Sequence, residues 1–220
     1  MNPITFLVKE IMLPMLKFFY DNIYPNYGIA IILLTILVKA IFYPLSVKQF
    51  KSMKEMQKLQ PKLKEIQEKY KKEPEKLQKQ MIALYKEHKV NPLGGCFPLL
   101  VQLPFLIALF YTLMDKQFKN MLIASGKGGT FLWINNMAAA DKTYILPILI
   151  AITTYLSQKT MQQTTDPSQK NMMSMMNNMM PILMFFISLK LYAGVLIYWV
   201  VSQGLTALQQ YYMLNQEAKV

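Results

Sequence analysis

Lys39 is the one charged side chain within the apolar run YGIAIILLTILVKAIFYPL, residues 27–45. An ammonium at the depth of a hydrocarbon core costs about 2.5–3.5 kcal/mol on insertion scales, so it needs a partner, a wet cavity or a way out. The run alone leaves two outcomes open, because Lys39 lies six residues from Leu45 and its long stem could carry the amine to headgroup level. Thr35 stands four residues earlier and shares its helix face. Gln102 interrupts a second apolar run, and Ser202 with Gln203 interrupts the last. Taken singly, Gln102 and Ser202 read as interhelical hydrogen-bonding groups worth well under about 2 kcal/mol each. If these faces converge around the lysine, they make a positive, hydrated pocket.

Nothing else in the chain offers catalysis. There is no glycine-rich phosphate loop, no HExxH and no Ser/His/Asp set, and His88 falls on an apolar seam where packing is its simplest role. The residues predict a protein that is not an enzyme and holds no cofactor or metal. Cys96 has no second cysteine to pair with, and one histidine cannot complete a metal centre with it. All 24 basic residues are lysine, which excludes a stacked or bidentate arginine site.

The elements that must position the polar groups are membrane helices. Of 220 residues 53% are hydrophobic and 16% charged, and the formal net charge is +12. A soluble globular domain is the wrong class for such a balance. The 19 residues from Tyr27 to Leu45 would make a helix of about 28 Å, close to a hydrocarbon core of about 30 Å. Before it, Ile4, Leu7, Val8, Ile11, Met12, Met15, Leu16 and Phe19 step by threes and fours, which predicts an amphipathic interfacial helix over residues 1–22. Pro25 and Gly28 mark the bend between the two.

Residues 48–89 hold thirteen Lys against six Glu and no run long enough to span. Met56, Leu59, Leu63, Ile66 and Tyr70 step by 3, 4, 3, 4, and Leu77, Met81, Leu84 and His88 by 4, 3, 4, so the economical form is an antiparallel helical hairpin closed near Pro74. Pro61 should kink or restart its first arm. The lysines suit either a solvated hairpin or a docking arm for anionic lipid, ribosomal RNA or an acidic protein surface. Because lysine-rich loops stay cytoplasmic, the N-terminus is placed outside and the C-terminus inside.

The full division is 1–22 outside, a first span at 27–47, the hairpin at 48–90, a second span at 95–114, an extracytoplasmic loop and helix at 115–142, a third span at 143–158, a cytoplasmic loop at 159–174, a fourth span at 175–190, a fifth at 193–213 and a cytoplasmic tail at 214–220. The third and fourth apolar runs are short, which a locally thinned bilayer would accommodate. Met172, Met173, Met175, Met176, Met179, Met180 and Met184 surround the start of the fourth span and suit either lipid or varied apolar partners.

These stretches together resemble the YidC/Oxa/Alb family of membrane protein insertases. ILLTILVKAIFYPLSVKQFKSMKEMQKLQPKLKEIQEKY is similar to its first core span and hairpin, NPLGGCFPLLVQLPFLIALFYTL to its second span, WINN with YILPILIAITTYLSQK to its third and LYAGVLIYWVVSQGLTALQQYYM to its fifth. The resemblance implies an all-α membrane protein with five transmembrane helices around a hydrophilic groove. It places Lys39 where the family usually has arginine, and Thr35, Gln102 and Trp199 at groove positions, beside Ser202 and Gln203. It also implies that a substrate helix slides into lipid along the second and fourth spans, where Phe105, Leu106, Met180 and Met184 are the candidates. The implied partners are nascent membrane proteins, membrane lipids and a ribosome at the hairpin, in a bacterial plasma membrane, with the Sec translocon and the signal recognition particle or its receptor as open additions. Against many bacterial members of that family, the expectation here is a form without a large extracytoplasmic domain, a lipid-anchoring cysteine or a basic C-terminal extension, with ribosome contact resting on the hairpin. Two rivals remain: a small channel or transporter with Lys39 as its site, which would usually show repeated halves that this sequence lacks, and a membrane anchor whose hairpin tethers RNA or ribosomes.

Overall fold

The computed structural model describes residues 3–88, 90, 97–161 and 167–217, with side chains placed except at 53, 57, 97–102, 158–161, 167–177 and 214–217. The described elements are α1 (Pro3–Asn22), α2 (Tyr27–Ile41), α3 (Tyr43–Lys69), α4 (Pro74–Glu87), α5 (Phe97–Met114), α6 (Lys116–Ala124), α7 (Ile145–Met161), α8 (Pro167–Ser188) and α9 (Ala193–Glu217). Among the described residues no strand forms, only the isolated bridges Phe131 with Ile134 and Ala140 with Tyr192.

α1 contains a π-helical stretch at Leu7–Met12 and meets α2 at 119°. Its apolar face is covered by protein: Val8, Met12, Leu13 and Leu16 are buried in one cluster with Ile31 and Leu34 of α2 and Leu109 and Leu113 of α5. α9 closes the bundle against α2, α5 and α7, and α8 lies along α7. The bend after α1 is fixed by Asn26, whose Oδ1 accepts from the N–H groups of Gly28 and Ile29 at 2.9 and 3.2 Å. That is an N-cap, which satisfies donors a helix start leaves without intrahelical partners. Its Nδ2 donates to the Thr130 carbonyl at 2.6 Å and so ties the helix start to the 126–131 turn. Gly28 is needed there, because a Cβ at this position would lie 2.3 Å from the Phe131 ring.

The apolar run 27–45 is divided at Phe42, where ψ is 4°. Pro44 explains the break, since it has no N–H to give the Ala40 carbonyl. The expected kink at Pro61 does not interrupt α3, which runs through it to Lys69. The seam of Leu59 and Leu63 packs on Leu84 and Val90 on both sides of this residue, and that burial holds the helix together across the missing bond. α8 starts at Pro167, inside the segment read from sequence as the 159–174 loop.

No single helix among the described residues is long and apolar enough to cross a membrane, but α1 and α2 pass that test together as a bent pair. The outer face is apolar nonetheless. Ile148 and Ile152 of α7 and Ile182 and Phe186 of α8 are each about half exposed (48%, 48%, 56% and 60%). Exposed aliphatic and aromatic side chains in this number are poorly matched to water and well matched to lipid.

Candidate functional site

The polar groups of α2 and α9 meet inside this bundle. Lys39 is half-buried, and its Nζ donates to Thr206 Oγ1 at 2.9 Å, across 167 residues of sequence. Thr206 passes the chain on, donating from its hydroxyl to the Ser202 carbonyl at 2.8 Å. The amine therefore reaches across to α9. One turn above it on α2, Thr35 is fully buried and donates to the Ile31 carbonyl at 2.7 Å, so its hydroxyl is satisfied by its own helix.

A second link joins α9 to α7. Gln203 Nε2 donates to Thr154 Oγ1 at 3.0 Å, and Thr154, like Ser202, is buried. Ser202, Thr206 and Gln210 step by four along α9, and Ser202 and Gln210 are 5% and 8% exposed. One face of this helix is thus polar and turned into the protein. Trp199 continues it upward and packs half-buried on the main cluster.

Of the residues singled out from sequence, Lys39, Ser202 and Gln203 come together through Thr206 and the turns of α9, and Thr35 lies one turn away on α2. Gln102 belongs to α5, and its side chain lies outside the described residues. Phe105, Leu106 and Met184 are partly buried against the main cluster, and Met180 is half-buried on α8. The Phe105 ring stands 5.3 Å from Phe42 in an edge-to-face contact, beside the break between α2 and α3. Of the methionines at the start of α8, Met172, Met173, Met175 and Met176 have side chains outside the described residues.

Thr206 and Thr154 were missed. Thr206 had a signal, lying four residues after Ser202 and three after Gln203 on one helix face. Thr154 had less, since a threonine in an apolar helix most often bonds its own preceding turn, as Thr153 does to Leu149 at 2.8 Å. Among the described residues no group of three or more His, Cys, Asp or Glu could hold a metal ion. What the site offers is an ammonium in an apolar bundle with a hydroxyl acceptor on the facing helix.

The 60Kd inner membrane protein family matches this chain over residues 18–219. The chain belongs to that family. Among its relatives is a protein of Geobacter sulfurreducens named "Membrane protein insertase YidC", 44% identical over 207 residues, which are 94% of this chain and 37% of that protein. A Fusobacterium nucleatum protein of the same name is 41% identical over 198 residues, 90% of this chain and 91% of its own length. A solved structure described as "Active YidC insertase crystal structure with the first transmembrane domain resolved" superposes with a TM-score of 0.73 at 28% identity, covering 92% of this chain and 46% of that one. The chain spans little more than a third of the Geobacter relative and nearly all of the Fusobacterium one. The family match takes in α2, which carries Lys39, and α9, which carries its acceptor.

Proposed function

We propose that this chain inserts nascent membrane proteins into a bacterial plasma membrane and assists their folding, without chemical catalysis. Family membership supports the class of activity, and the Lys39–Thr206 bond is the observation that carries the mechanism. In this reading the bundle contributes five crossings, with the N-terminus outside and the C-terminus inside, and the polar faces of α2 and α9 line a groove open to the cytoplasm and to lipid. α3 and α4 form the cytoplasmic arm that receives the nascent chain and a ribosome, and the Sec translocon and the targeting particle or its receptor are additional partners.

The physical gain is in the barrier. A polar segment entering hydrocarbon leaves backbone groups unsatisfied, at several kcal/mol each. Water held by Lys39, Thr206, Ser202 and Gln203 would satisfy those groups part-way across. An acidic segment gains more, since unit charges about 4 Å apart attract by about 4 kcal/mol at an effective dielectric constant of about 20. The Thr206 hydroxyl on Lys39 is neutral, and a substrate carboxylate would take its place on the ammonium. The substrate's apolar helix then leaves sideways past Phe105, Leu106, Met180 and Met184.

Complementation of an insertase-depleted strain tests the reading. Lys39→Arg keeps the charge and is expected to support growth and insertion, whereas Lys39→Ala loses insertion of substrates with acidic translocated tails. Equal activity of all three proteins at equal abundance would remove the charge from the mechanism. A tether or anchor, by contrast, would keep its function when the polar residues of α9 are replaced.

A further inference from the structure

The end of the bundle opposite α3 carries a recess that insertion does not use. The first turn of α2 meets the 126–131 turn there through Asn26 and Thr130, while α3 leaves from the other end of α2 at Tyr43. The recess measures about 470 Å³, and its walls include Lys119 and Ile123 of α6, Gly126 of the turn, and Asn135 and Asn136.

Its polar side chains offer donors: one ammonium and two amide N–H₂ groups. The Lys119 backbone N–H donates to the Asp115 carbonyl at 3.1 Å, while among the described residues its ammonium and the Asn135 side chain make no ion pair or hydrogen bond. Asn136 Oδ1 already accepts from the Ala138 N–H at 2.9 Å, which leaves its amide N–H₂ to offer. Gly126 keeps the floor open: its φ is +53°, and a Cβ there would have nothing within 4 Å. The neighbouring acids are occupied. Asp115 caps α6 by accepting from the Gln117 N–H at 2.7 Å, and Asp141 accepts from Thr143 and from the Leu146 N–H. Lys116 and Lys127 add positive charge nearby.

Ile123 on this wall is almost wholly exposed at 79%, and so is Leu132 at 74%, which follows the 126–131 turn in sequence. An inorganic anion has no use for them, but a ligand with an anionic head and hydrocarbon chains does. We infer that the recess binds the phosphodiester headgroup of an anionic phospholipid, with Lys119, Asn135 and Asn136 on the phosphate and the acyl chains along Ile123 and Leu132. The inference rests on the membrane placement of the bundle and on no step of insertion.

Native mass spectrometry of the full chain in a neutral detergent tests it, with phosphatidylglycerol, phosphatidylcholine and inorganic phosphate as separate probes. Phosphatidylglycerol should stay bound after detergent removal in preference to phosphatidylcholine, and millimolar inorganic phosphate should not displace it. Lys119→Gln should lower its retention about fivefold, the effect of one lysine at a charged surface. Asn135→Asp should lower it as well by placing a carboxylate on the wall, and Lys119→Arg should retain it. A melting curve on each variant separates loss of binding from loss of fold. Equal retention of the two lipids, unchanged retention in both Lys119→Gln and Asn135→Asp, or displacement by inorganic phosphate would each overturn the assignment. Loss of insertion activity with lipid retention intact would count against the proposed function and leave this site standing.

Discussion

Thr206→Val tests the bond on which the polar site depends. Valine has nearly the shape of threonine, so the packing of α9 is preserved while the acceptor for Lys39 and the donor to the Ser202 carbonyl both disappear. A hydrogen bond to a charged group is worth about 1.5–3 kcal/mol in soluble proteins. Within membranes the measured values for side-chain pairs are smaller, about 0.6 kcal/mol on average and about 1.7 at most. Lys39 also makes interactions besides Thr206, so the ammonium is not stranded when the threonine is lost. The expected loss is therefore about 1–1.5 kcal/mol, with Thr206→Ser restoring most of it. Reversible unfolding in mixed micelles, run as a double-mutant cycle with Lys39→Met, isolates the pair from the helix's other losses. A coupling of about 0.6–1.7 kcal/mol is expected. Strict additivity of the two substitutions, or full stability of Thr206→Val with Thr206→Ser destabilised, would refute the reasoning.

Other consequences follow from individual contacts. Gly28→Ala places a methyl group 2.3 Å from the Phe131 ring, and the overpacking should cost about 1–3 kcal/mol, seen as a lowered melting temperature. Asn26→Ala removes the cap of α2 and its tie to Thr130, for a loss of about 1–2 kcal/mol by the same measurement. Asp141 is nearly buried, which alone would raise its pKa, but the Thr143 hydroxyl at 2.6 Å and the N–H groups of Leu146 and Thr143 at 2.9 and 3.0 Å outweigh that and hold it below the ordinary carboxylate value. Its contribution is thus present above the unfolded-state pKa of about 3.9 and is lost as pH falls through the lower folded value. An acid titration of stability should show that loss in the parent chain and a flatter curve in Asp141→Asn. Replacing residues 53–88 by a short linker should lower co-sedimentation with ribosome-bound nascent chains more than it lowers the melting temperature of the bundle, and unchanged co-sedimentation would contradict the recruiting role.

Much of the site could be read from composition because a lysine in an apolar run is anomalous by itself. Lys39 and Thr35 stood out on one helix, and Ser202 and Gln203 on another. Their connection was harder to see, since the acceptor is an ordinary threonine 167 residues away, and side-chain bonds across helices leave no local pattern. The amphipathic period of residues 1–22 marks an apolar face and reads as a helix lying in the membrane interface. The buried positions Val8, Met12 and Leu16 lie on that face, and the cover is protein from α2 and α5. The π-helical stretch at Leu7–Met12 had no signal, because it depends on how the helix is seated against its neighbours. The run through Pro44 reads as one span, and Pro61 as a kink or a restart. Pro44 coincides with a break, whereas Pro61 does not, because there the Leu59–Leu63 seam keeps the helix in register on α4. Propensity is a local quantity, and burial on a partner overrides it.

Site-specific photocrosslinking of a stalled nascent membrane protein tests the central claim most directly. Probes at Phe105, Leu106, Met180 and Met184 should capture the substrate's apolar segment, a probe at Ser202 should capture its short acidic tail, and probes at the half-exposed Ile148 and Ile152 of α7 should capture neither. Equal capture at all positions, or capture at α7 alone, would contradict an exit past α5 and α8 and a polar entry beside Lys39.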